Sequence, residues 1–87
     1  YKIKGIIQRS LQNYILAENY LETSLRINSE AGNQLNRAET YQELGVLYKE
    51  MVKSKLSKEN FKLALEYFKK INSEPDITLL ENLLASK

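Results

Sequence analysis

The 87-residue chain has no cysteine, no histidine and no tryptophan, one proline and three glycines. Without cysteine there is no disulfide, thiol nucleophile or thiolate metal site. Without histidine there is no imidazole to move protons near neutral pH or to ligate zinc. The missing cysteine fits a reducing compartment, and a cytoplasmic location is expected. One proline and three glycines are too few for the tight turns of a small β-protein. No apolar run approaches about 20 residues, so no transmembrane helix is expected. The net charge of +2 is too small to point to nucleic acid or an anionic membrane. Tyr1 to Ile7 carries a short apolar patch without a small-residue cleavage site, so it does not read as a signal peptide. It also has no initiator methionine and no N-cap residue, and reads as a cut inside a helix of a longer protein.

What is present is helical periodicity. Ile3, Ile6 and Ile7 recur at helical spacing over residues 1–9, with Lys2, Lys4 and Arg9 between them. Ser10 to Asn13 reads as a turn. A second stripe runs Tyr14, Ala17, Tyr20, Leu21, Ser24 or Leu25, and Ile27, and that helix is expected to end near Asn28–Ser29. Gly32-Asn33 breaks the chain. Leu35, Ala38, Tyr41, Leu44, Gly45, Tyr48 and Met51 (or Val52) then share one face of a helix over about 34–53. The polar, basic run from Lys53 to Lys58 reads as a turn, with Ser57 as an N-cap. Phe61, Ala64, Leu65, Phe68 and Ile71 form the inward stripe of a fourth helix. Ser73-Glu74-Pro75-Asp76 opens a fifth, with proline and acids in its first turn. The class is all-α.

A glycine inside a helix costs about 1 kcal/mol and marks a close backbone approach. Tyr1 and Gly5 recur as Tyr41 and Gly45. Matching Ala17 to Ala64 completes a repeated helix pair, with seven extra residues near 54–60 in the second copy. A duplicated helix–turn–helix unit points to a solenoid.

The second copy reads Tyr41, Leu44-Gly45, Tyr48, Ala64, Phe68 and then Pro75, and the first reads Tyr1, Gly5, Ala17. This pattern resembles the tetratricopeptide repeat family. Departures are Lys4 for the leucine, Gln8 for the second aromatic and Ser29 for the proline. The resemblance implies about five helices stacked as a right-handed α-solenoid, a single domain over 1–87. The first repeat spans about 1–29 and the second about 34–72 with a lengthened turn near 54–60. A C-terminal helix follows over about 74–86. Tyr1, Gly5, Ala17, Tyr41, Leu44, Gly45, Tyr48, Ala64 and Phe68 are then structural.

Acid pairs at helical spacing, Glu18/Glu22 and Glu39/Glu43, have no histidine or glycine-rich loop beside them and read as solvated surface. Residues 49–70 hold seven lysines and no arginine, and read as a solvated face rather than a nucleic-acid site. No enzyme, metal or cofactor is expected. The family resemblance implies a concave groove lined by first helices, here Lys2, Ile6 and Arg9, then Gln42, Val46 and Lys49. It suits an extended or helical peptide of some acidic character. Ile6 and Glu43 stand where members that grip a C-terminal carboxylate carry asparagines, which argues against that activity. The expected function is protein–protein recognition or scaffolding, with self-association through the C-terminal helix as a further route. The alternative is a peptide- or ligand-sensing domain of a bacterial signalling or transcription-control protein.

Overall fold

Five α-helices occupy the described residues, with no strand among them: α1 (Lys2–Ser10), α2 (Tyr14–Ala31), α3 (Gln34–Glu50), α4 (Ser54–Lys70) and α5 (Glu74–Ala85). The structure is a computed structural model that describes residues 1–85; the side chains of residues 28–31 lie outside the description. Each helix packs on the next in sequence, and α1 also touches α3. The all-α expectation holds among the described residues. The expected end of the fifth helix at 86, and Ser29 in the proline position, lie outside them.

Local chemistry sets the helix ends. The Asn33 side chain accepts the amide of Asn36 at 3.0 Å and starts α3. The Ser73 hydroxyl donates to Asp76, and Pro75 sits in the first turn of α5, where its missing amide costs nothing. The polar run from Lys53 onward is not a turn: α4 begins at Ser54. No lengthened turn exists at 54–60, and Ser57 lies inside the helix rather than capping it.

Moving that boundary changes the repeat. The turns after α1 and α3 have the same hydrogen bonds. Leu11 and Met51 donate their amides to the carbonyls of Ile7 and Leu47, at 3.1 and 3.0 Å. Gln12 and Val52 donate to Arg9 and Lys49, at 2.9 and 3.1 Å. Asn13 and Lys53 donate to Gln8 and Tyr48, both at 2.8 Å. Gln12 and Val52 both take left-handed backbone (φ 64° and 60°), as do Gly32 (70°) and Asn72 (56°) after α2 and α4. Each pair is separated by the same 40 residues as Gly5 and Gly45. Ala17 therefore corresponds to Ser57, not Ala64, and no insertion is needed.

Side-chain contacts follow this register. A Cβ on Gly5 would lie 2.7 Å from Leu21 Cγ, and one on Gly45 would lie 2.6 Å from the Phe61 ring. The buried Ser57 hydroxyl donates to the Gly45 carbonyl at 2.7 Å. Gly45 thus admits Phe61 and Ser57.

Two apolar clusters hold the helices together. Ala17, Leu21, Leu44, Leu47 and Tyr48 join α2 to α3. Ala38, Phe61, Ala64, Phe68 and Leu80 join α3, α4 and α5, and Tyr41 packs against both clusters. Full burial of Leu21, Leu47 and Phe68 contributes roughly 1.5–3 kcal/mol each. Thr40 and Ser24 put a buried hydroxyl pair between α2 and α3, at 3.3 Å. At the same register, Ala64 and Leu80 fill the space between α4 and α5 with apolar groups. Leu84 then stands at the place of Leu44, and Ala85 at the place of Gly45.

Candidate functional site

The expected groove residues separate into two sets. Lys2 and Arg9 do not face open solvent, because α3 carries acids on the side that meets α1. Lys2 Nζ lies 2.8 Å from Glu39 Oε1. Arg9 spans two carboxylates, with Nη1 at 2.6 Å from Glu50 and Nη2 at 3.4 Å from Glu43. Lys2, Arg9, Glu39 and Glu43 are partly buried, so their pairs lie between the exposed kind of small net value and the fully desolvated kind, whereas Glu50 is exposed and its pair with Arg9 is of the former kind. Burial pushes the Glu43 carboxyl above its ordinary range; the charges of Arg9 and Lys2 oppose the shift. Arg9 Nε is buried without a hydrogen-bond partner among the described residues.

Ile6, Gln42 and Val46 are half-buried, and Lys49 is exposed. Val46 also packs against the cluster built on Phe61 and Phe68. The surface left open along α1 and α3 is thus apolar at Ile6 and Val46, with an amide and one lysine beside them. Its nearby cations Lys2 and Arg9 are neutralised within the molecule. The preference for an acidic peptide therefore loses two of its three charges.

Glu39 and Glu43, read from the sequence as solvated, pair instead with cations of α1, as does Glu50. A signal for them existed: cations at positions 2 and 9 of one helix, and acids at 39, 43 and 50 along one face of another. Glu18, also read as solvated, accepts a short hydrogen bond from the Tyr48 hydroxyl and ties α2 to α3.

A second polar cluster lies where α3 meets α4. The Tyr41 and Tyr67 rings stack at 5.8 Å with 19° between their planes. The Arg37 guanidinium lies 5.5 and 5.4 Å from their centroids and donates to both hydroxyls. Lys70 Nζ lies 4.8 Å from the Tyr67 centroid. The corresponding place in the first unit is an open cleft of about 280 Å³, lined by Tyr1, Lys2, Ile3, Ser24, Ile27 and Asn36.

Among the described residues no group of acidic side chains could hold a metal ion, and no helix is long and apolar enough to cross a membrane. Comparison with protein-family models, with curated proteins and with solved structures returned no match.

Proposed function

We propose that the chain is a tetratricopeptide-type helical-repeat module that recognises a protein or peptide along the surface shared by α1 and α3, without catalysis. What supports this reading is the recurrence, after 40 residues, of the same turn hydrogen bonds, the same left-handed residues and the same glycine contacts. A unit that repeats its backbone in this way stacks on its neighbour as a right-handed solenoid and offers its first helices as a continuous face. On this face Ile6 and Val46 supply apolar contact, while Gln42 and Lys49 supply directed polar contact. The Lys2–Glu39 and Arg9–Glu43–Glu50 pairs hold the two helices at a fixed spacing.

The test is a pull-down from the native host with the wild-type chain and with Ile6→Glu and Val46→Glu. A protein captured by the wild type and lost from both variants, each with unchanged helix content, supports the reading. Equal capture by all three sinks it.

A second reading, a small-ligand sensor, rests on the cleft at Tyr1, Ile27 and Ser24. It requires a melting-temperature rise with a small molecule or short peptide, abolished by Ile27→Trp.

A further inference from the structure

The turns after α1 and α3 lie at one edge of the molecule, and that edge is built unlike the opposite one. Arg9 Nη1 lies 2.6 Å from Glu50 Oε2, so the last turns of α1 and α3 sit side by side. The connections that follow, and the first turns of α2 and α4, therefore share this edge. Leu11, Ile15 and Val52 stand there 63%, 70% and 84% exposed, and Leu16 and Leu56 are exposed at matching places in α2 and α4. The opposite edge is polar. Its turns carry Gly32-Asn33 and Asn72-Ser73, and Glu74 and Asp76 open α5.

Val52 sharpens the contrast. Its backbone is left-handed at φ 60°, a place filled by Gln12 in the first unit and by Gly32 and Asn72 at the opposite edge. A β-branched residue is disfavoured there, and no burial within the chain offsets the strain. Lys53, Lys55 and Lys58 are exposed beside it. None of them pairs with a carboxylate among the described residues, where the ion pairs use Lys2 and Arg9. The whole chain's charge of +2 conceals this local run of cations.

The chemistry of the edge selects what covers it. Residues 11–16 and 51–58 hold no arginine, and their one aromatic, Tyr14, packs against the core between α2 and α3. The forked phosphate contacts and base stacking of a nucleic-acid surface are therefore missing. Protruding aliphatics with ammonium groups on flexible stems suit a layered partner, anionic at its surface and apolar beneath.

We propose that this edge docks on an anionic lipid bilayer. Leu11, Ile15 and Val52 enter the interface, and Lys53, Lys55 and Lys58 meet the headgroups. The edge lies beyond Ile6 and Val46 on their helices, so the inference does not rest on the groove between them.

The probe is phosphatidylcholine vesicles with and without phosphatidylserine, co-sedimented with the full chain. Saturable binding to the phosphatidylserine vesicles, weak binding to the neutral ones and loss of binding at high salt are expected. Lys53→Gln combined with Lys55→Gln should weaken binding about thirtyfold. Val52→Asn should weaken it about tenfold. Asparagine suits the left-handed turn better than valine, so that loss is not one of folding. Circular dichroism checks that both variants keep their helix content. No binding to phosphatidylserine vesicles overturns the proposal. So does equal binding by wild type and Val52→Asn, which would leave the aliphatics outside the interface. Soluble polyglutamate held as tightly as the vesicles overturns it too, since an acidic protein would then be the occupant.

Discussion

Arg37 of α3 donates from Nε to the Tyr67 hydroxyl of α4 at 2.9 Å, while its Nη2 donates to Tyr41 at 3.2 Å. One planar fork thus satisfies two phenols and lies against two stacked rings, which a lysine cannot do. Arg37→Lys should therefore destabilise the chain nearly as much as Arg37→Ala. Tyr67→Phe should cost about 0.5–1.5 kcal/mol, the usual net value of such a bond. A double-mutant cycle by urea denaturation measures the Arg37–Tyr67 coupling. Additive losses would show that the fork contributes only packing.

The glycines differ in kind, and substitution separates them. Gly45 is needed for space, since a Cβ there would lie 2.6 Å from the buried Phe61 ring. Gly45→Ala should cost about 1–3 kcal/mol by overpacking, against alanine's advantage of about 1 kcal/mol in a helix. Gly32 is needed for conformation: its φ is +70° and nothing lies within 4 Å of an added Cβ. Gly32→Asn should be nearly neutral, as Asn72 already holds the same place, while Gly32→Val should cost about 1–2 kcal/mol. Thermal melts of the three variants decide the matter, and a harmless Gly45→Ala would remove the close approach from the account of the fold.

Val52 is a β-branched residue at φ 60°, in a turn where its side chain is 84% exposed. The branched side chain gains no burial there to offset the strain of left-handed backbone. Val52→Asn should raise stability by about 0.5–1 kcal/mol, visible as a rise of a few degrees in melting temperature. A fall would mean that the isopropyl group is packed against something.

These residues also show how far the sequence was legible. Helix number and the Gly5/Gly45 duplication were readable because period and glycine are local signals. The start of α4 was not, because Ser54 to Asn60 is polar, basic and headed by good cap residues, which describes a turn equally well. Ser57 decides it through tertiary contact, since its small side chain fits against Gly45 and its hydroxyl reaches the Gly45 carbonyl. The spacing from Gly45 to Ser57 equals that from Gly5 to Ala17, yet alanine drew the match to Ala64 by residue type. The acids at 39, 43 and 50 were missed for a related reason. Whether a carboxylate is solvated or paired depends on which helix lies beside it.

Glu43 gives the α1–α3 contact a pH signature. Burial raises its carboxyl above the ordinary 4.5 despite Arg9 and Lys2. The folded chain therefore holds this proton at higher pH than the unfolded chain does. Stability from this site is greatest in acid and falls as pH rises from about 4.5 through the folded value. Glu43→Gln removes that slope. Relative to wild type, the variant should gain in urea midpoint between about pH 4 and pH 7. Parallel curves would place Glu43 in solvent.

Tyr48 predicts the opposite end of the scale. Burial, the hydrogen bond to Glu18 and the negative charges of Glu18 and Glu22 all push its phenol well above the ordinary 10. The unfolded phenol ionises first, so the folded state binds the proton more tightly, and stability falls as pH rises above about 10. At neutral pH, Tyr48→Phe removes the donor that satisfies Glu18 and should cost about 1.5–3 kcal/mol, the range for bonds to charged groups. In alkali the ranking narrows, because phenylalanine has no proton to lose while wild type is drawn towards the unfolded phenolate. Urea midpoints of both proteins at about pH 7 and about pH 11 measure this directly. A stability gap that stays constant with pH would show that the Tyr48–Glu18 contact between α3 and α2 is open to water.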